Sequence, residues 1–200
     1  MPYRTTEKMA ARKDARRKSF LKAATQLFGA HGYHDTTVPM IVAKAHSSTG
    51  SFYMYFRNKE DVFAAALEAM GERILKVVQD AHSTSSEPLS QIRAAVESLF
   101  LFLAANPHEA RIMIVQSSGL SPRLEQVRRA ILARHVDELQ KTMHSHRHDF
   151  TRTNHGIAAR CLVGAVFESL YDWLESPPSK RPPAASVARL VADFNVRALS

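Results

Sequence analysis

Three helix-capping side chains, Thr37, Ser48 and Asn58, stand so close together that the chain between them has room only for two very short helices. The first follows Thr37: Pro39 is tolerated in a first helical turn, and Ile41, Val42 and Ala45 supply one apolar face. Met40 stands where a capping box needs an acid or a glutamine, so Thr37 caps alone. His46 and Ser47 make the turn, where His46 is expected in the left-handed region at a steric cost that glycine avoids. Ser48 opens the second helix, expected over 49–56. Two short helices joined by a turn of about three or four residues, the second with a polar start, describe a helix-turn-helix, whose second helix enters the major groove of DNA.

Helical geometry separates the rings of the second helix. Phe52 and Phe56 share one face, which is expected to pack on Val42 and the preceding helix, whereas Gly50, Tyr53 and Met54 lie opposite. Tyr53 therefore points outward with its hydroxyl free to reach a phosphate, and Tyr55 lies at the boundary. Amphipathic helices flank the pair. Before it, Phe20, Ala23, Ala24, Leu27 and Phe28 recur at helical spacing until Gly32 stops them; after it, Asn58 caps a helix striped by Val62, Phe63, Ala66, Met70, Ile74 and Val77.

Charge follows the same geography. Residues 1–59 hold 11 lysines and arginines against 3 acidic residues, and the rest of the chain holds 16 of each. The whole net charge of +8 thus accompanies the helix-turn-helix, and a polyanion is the expected partner. Arg4, Lys8, Arg12, Lys13, Arg16, Arg17 and Lys18 read as a phosphate-attracting amino-terminal arm able to reach a minor groove. The Arg-rich start shares its composition with transit peptides, but Asp14 and a helical pattern running on to Phe28 argue against its removal.

Beyond this region, 83–88 reads as a linker, and helices are expected over 89–105, 107–115, 123 to about 143, 153–175 and 187–199, with the proline-rich 176–186 unable to be helical throughout. No repeat or strand pattern emerges, so the fold class is all-α with about nine helices. The longest apolar run, 99–105, is far short of the roughly 20 residues a membrane-spanning helix needs. A single cysteine, Cys161, excludes an internal disulfide, fits a reducing compartment, and reads as an inert buried thiol within an apolar helix.

The stretch FLKAATQLFGAHGYHDTTVPMIVAKAHSSTGSFYMYFRNKEDVF, residues 20–63, resembles the DNA-binding domain of TetR-family (TetR/AcrR) transcriptional regulators. The likeness lies in the aromatic of the first helix, the Gly-Tyr and Thr-Thr around the first turn, Ile41 with Ala45, and the run from Gly50 to Asp61. It implies a helix-turn-helix domain with a basic arm over 1–58, a helical effector-binding and dimerisation domain over 59–200, and a homodimer. Carried over to this chain, it makes Thr37 a phosphate contact and Ser48 the cap, and it turns Thr49, Gly50 and Ser51 to base edges. Tyr53, Met54 and Tyr55 would line the groove wall, and Lys59 would hold a phosphate beside the N–H groups of its helix. His46 departs from the glycine usual in that turn, and Ser47 from a usual apolar residue. No Arg, Asn or Gln stands on the reading helix to bind G or A bidentately, which leaves thymine-methyl contacts from Thr49 or Met54 and DNA shape.

The resemblance implies a cytoplasmic, ligand-responsive regulator, most simply a repressor released from a pseudo-palindromic operator by a small apolar effector. An architectural DNA-binding protein without effector and a helical enzyme are the alternatives. No GxSxG elbow, phosphate loop, HExxH or paired-carboxylate motif is present, and no catalytic residue is assigned. Phe100, Met113, Phe167 and Tyr171 are candidates to line an apolar pocket, with Glu97, His108, Glu109 and Arg111 available for a polar end. The last two helices are apolar enough to bury a second copy of themselves in a four-helix interface. His144 and His148, with His155 nearby, have the spacing to share an ion but no acid or cysteine at ligand spacing, so neither metal nor cofactor is assigned. Gly71, midway along the helix after Asn58, reads as a soft point in a lever between the two ends.

Overall fold

The computed structural model describes residues 3–83, 85–148, 150 and 154–199, with side chains from residue 8 onward. Among these residues all regular structure is helical: α1 (Tyr3–Asp35), α2 (Val38–Lys44), α3 (Thr49–Tyr53), α4 (Lys59–His82), α5 (Pro88–Ala105), α6 (Pro107–Ala110), α7 (Pro122–Ser145), α8 (His155–Glu175) and α9 (Ala184–Arg197). A π-helical turn, Arg111–Gln116, continues α6. Thr84 of the expected linker and Thr153 at the expected start of α8 lie outside the described residues.

The amino-terminal helices assemble around aromatic rings. Phe20 and Phe52, both fully buried, meet edge-on at 5.5 Å, and Phe28 meets Phe63 of α4 edge-on at 4.9 Å. Gly32 breaks the helical geometry of α1 at φ +87, a conformation costly for any residue with a Cβ. Buried Thr36 ties that break down by donating its hydroxyl hydrogen to the Gly32 carbonyl at 2.7 Å.

The basic lead is a continuation of α1 rather than an extended arm. Ala10, Ala11 and Ala15 among lysines and arginines are strong helix formers, and no glycine or proline interrupts them before Gly29. A helix about 10–12 Å across is wider than a minor groove of about 6 Å, so any reach into that groove falls to side chains projecting from the helix rather than to an extended backbone. Lys18 pairs with Asp14 at 2.7 Å, Arg17 sits over the Phe56 ring, and the side chain of Arg4 lies outside the described residues.

Behind this head, α5 lies between α4 and α9, and α7 packs with α8. At 18 residues α5 is long and apolar enough by composition to cross a membrane, which the sequence pattern did not suggest. In the fold its Ile92, Phe100 and Leu103 are spent on the core. The proline-rich connection before α9 is pinned by Trp173, whose indole N–H donates to Pro182 O at 2.9 Å while Arg181 stacks over its ring.

Two expectations change. At Gly71, expected as a soft point, α4 is continuous, the glycine is buried, and a Cβ there would lie 2.8 Å from the Ile131 Cγ2 methyl of α7. The glycine lets two helices approach closely. Cys161 is exposed on α8 rather than buried, because the apolar face of that helix is carried by Ala159, Leu162, Val166 and Leu170 instead.

Candidate nucleic-acid interface and inner chamber

Each short helix begins at its cap. The Thr37 hydroxyl accepts from Met40 N–H at 3.4 Å, Ser48 from Ser51 N–H at 3.2 Å, and Asn58 Oδ1 from Asp61 N–H at 2.8 Å. His46 stands at φ +48, the only non-glycine residue with positive φ among the described residues. The second helix is shorter than the pattern suggested, ending at Tyr53. One further turn, closed by Phe56 N–H on Phe52 O at 3.0 Å, still carries Phe56 into the core.

The two faces separate cleanly. Phe52 and Phe56 are buried, while Tyr53 and Met54 are 55% and 75% exposed. Ser48, Thr49 and Gly50 are exposed beside them, Ser51 is half-buried, and Thr37 is exposed at the start of α2. A Cβ on Gly50 would meet nothing within 4 Å, so the fold itself does not require a glycine there. Tyr55 lies half-buried with its ring tilted against Phe20 at 5.9 Å.

Lys59 is engaged within the protein. Its Nζ donates to the carbonyls of Tyr33 and His34 at 2.7 and 3.2 Å and lies 4.4 Å from the centre of the Tyr33 ring. Nearby, Asp61 accepts from Arg57 at 2.7 and 2.9 Å and pairs with Arg123 of α7 at 2.6 Å. The Arg57 hydrogen bond first, and Arg123 after it, hold the Asp61 carboxyl well below the usual carboxylate range. These contacts join the reading head to α4 and α7.

A second site lies at the far end of α4. Val78 and His82 wall a small chamber completed by α5, α7, α8 and α9, with a cavity volume of about 60 Å³. That is well below the range of about 300–1,000 Å³ common for small-molecule sites, so a ligand of ordinary size must displace the chamber walls to enter. Of the candidates from sequence, Phe167 lines it; Met113 and Tyr171 line an adjoining groove between α7 and α8; Phe100 is buried against Trp173 and reaches neither. Glu109 pairs with Arg73, Arg111 with Glu175 and Glu97 with Arg93, so none of these supplies the polar groups of the chamber. Those are His82, His135 and Asn195, which sequence reasoning missed because lone polar residues in apolar helices carry no pattern. Burial lowers the pKa of His82 against the pull of Glu138, and burial followed by the Arg134 charge pushes His135 down to about 4. Among the histidines of 144–148, His146 Nδ1 lies 3.0 Å from Thr142 O. The described residues contain no group of three side chains placed to hold a metal ion.

A capped helix-turn-helix on a helical body containing an apolar chamber defines a class, the DNA-binding transcriptional regulators. Residues 20–66 match the family described as bacterial regulatory proteins, tetR family. The chain is 30% identical over 157 residues to YdgC of Bacillus subtilis, an uncharacterised HTH-type transcriptional regulator, covering 75% of this chain and 76% of that one. It belongs to the TetR family of helix-turn-helix transcriptional regulators, which are not enzymes. Its fold is similar to the fatty acid degradation regulator FadR of Bacillus halodurans, with TM-score 0.83 at 19% identity over 90% of this chain and 94% of that one. It is also similar to FadR of Bacillus subtilis in complex with stearoyl-CoA, with TM-score 0.80 at 19% identity over 92% and 99% of the two chains.

Proposed function

We propose that the protein is a homodimeric repressor in the cytoplasm that leaves a pseudo-palindromic operator when a small apolar molecule enters the chamber. Residues 1–58 read DNA and 59–200 sense the effector and dimerise. The observation that carries this reading is one helix serving two sites: α4 begins at the Asn58 cap and the Lys59 anchor and ends at Val78 and His82 in the chamber wall. Its 24 residues make a rod about 36 Å long. A ligand that fits better when the chamber end shifts would move both reading heads from the spacing of about one DNA turn that half-sites require.

On the DNA side, Thr49, Gly50 and Ser51 face base edges, Tyr53 and Met54 the groove wall, and Thr37 a phosphate. Exposure of Tyr53 and Met54, and the open space over Gly50, support these roles. Tyr55 contributes its polar edge from a ring held by Phe20, and Lys59 must exchange a carbonyl for a phosphate oxygen or sit beside one. Dimerisation through α8 and α9 is supported by exposed Ile157, Tyr171, Leu190 and Phe194 on those helices. The acyl chain of the stearoyl-CoA bound by the Bacillus subtilis FadR accords with an apolar effector body, which Phe167 is placed to meet in the chamber and Met113 and Tyr171 in the adjoining groove.

Footprinting DNA upstream of the chain's own gene and its neighbours would define the operator, and operator affinity would then be measured with and without hydrophobic ligands. Ligands that bind the chamber and leave operator affinity unchanged would favour an architectural protein instead.

A further inference from the structure

The chamber is apolar except where His82, His135 and Asn195 reach it. Asn195 is 1% exposed and His135 7%, yet neither ring nitrogen of His135 and neither amide atom of Asn195 has a hydrogen-bond partner in the protein. Buried donors and acceptors are nearly always paired, because each one left unmet has given up water for nothing. Packing alone does not call for them. The neighbouring walls, Val96, Leu99, Leu162 and Phe167, would accept apolar side chains of the same size.

We infer that the chamber selects an uncharged head group that both donates and accepts hydrogen bonds, above all a hydroxyl, carried on an apolar body. The inference rests on the effector reading given above. A neutral imidazole presents one donor and one acceptor, and a carboxamide presents both kinds as well. Burial keeps His135 neutral, reinforced by Arg134 and opposed only weakly by Glu138 and Glu72. A carboxylate can only accept, so it would leave the imidazole acceptor and the Asn195 carbonyl unmet and bring a charge into an apolar space. A bare acyl chain would leave all four atoms unmet. A hydroxyl answers both kinds of group, while the Phe167 ring, tilted 6.4 Å from His135, and the aliphatic walls take the apolar body.

The test is calorimetric titration of the full chain at neutral pH with three probes of equal chain length: 1-octanol, octanoate and heptyl methyl ether. Octanol is expected to bind at least tenfold more tightly than the other two. In His135→Phe and Asn195→Leu, octanol should fall towards the affinity of the ether, which can only accept a hydrogen bond and should change less. Octanoate binding as tightly as octanol, all three probes binding alike, or an octanol advantage that survives both substitutions overturns the head-group inference and leaves the effector reading standing. Octanol binding as expected without loosening the operator overturns the effector reading and leaves head-group selection in place. No binding by any probe overturns both. The wild-type series decides the matter by itself if a variant fails to fold.

Discussion

Lys59 Nζ lies 2.7 Å from the carbonyl oxygen of Tyr33 and 4.4 Å from the centre of its ring, so the first residue of α4 closes the carboxyl end of α1. The final carbonyls of a helix have no partners within it, and a cation there also meets the negative end of the helix dipole. The residue expected to hold a phosphate is therefore also a clamp between two helices.

Lys59→Ala should accordingly change two quantities. Loss of a half-exposed charged hydrogen bond is expected to cost about 1–2 kcal/mol, read from urea unfolding. Operator and nonspecific DNA should weaken alike, and a slope of log affinity against log salt near −7, expected for about 8 neutralised phosphates, should become shallower. A salt slope unchanged by the substitution would leave Lys59 with the clamp alone.

Phe52 and Tyr53 are neighbours with opposite burdens, one fully buried and the other 55% exposed. Phe52→Ala opens a cavity against Phe20 and is expected to cost about 3–5 kcal/mol. Tyr53→Phe should leave the melting temperature nearly unchanged and reduce operator affinity. Equal destabilisation by both would refute the division into two faces.

Gly71→Ala would push a Cβ into the Ile131 Cγ2 methyl at 2.8 Å, and overpacking of this kind costs about 1–3 kcal/mol. Gly71→Ala should cost less in an Ile131→Ala background than in the wild type, because the methyl that the new Cβ meets is gone, although Ile131→Ala alone costs about 2–5 kcal/mol. A double-mutant cycle that is simply additive would show that the two positions do not share the contact.

Acid should destabilise the protein through His135. Its folded pKa of about 4 lies below the ordinary value of 6.5, so between these limits the unfolded chain binds more protons. The stability is present in full above about pH 6.5 and is lost as pH falls towards 4, by at most about 2 kcal/mol from pH 7.5 to pH 5. His135→Phe should flatten this dependence, measured as unfolding free energy at the two pH values. A decline of equal size in both proteins would assign the acid sensitivity elsewhere, His82 first.

Local order could be read from the chain because its causes are local. Thr37, Ser48 and Asn58 cap the helices they precede, His46 takes positive φ in the turn, and Phe52 and Phe56 go inward at the spacing of a helical face. Caps, turns and amphipathic periods depend on residues within about four positions of one another. Contacts between helices distant in sequence were settled only by tertiary packing. Lys59 finds the carbonyls of Tyr33 and His34, Gly71 admits Ile131, and His135 and Asn195 meet in one chamber from different helices. The exposure of Cys161 belongs to the same group, whereas the helical continuation of the basic lead follows from local helix propensity. A period tells which face of a helix is apolar, but not which neighbour covers it or where a lone polar side chain on that face will point, and those choices require the whole fold.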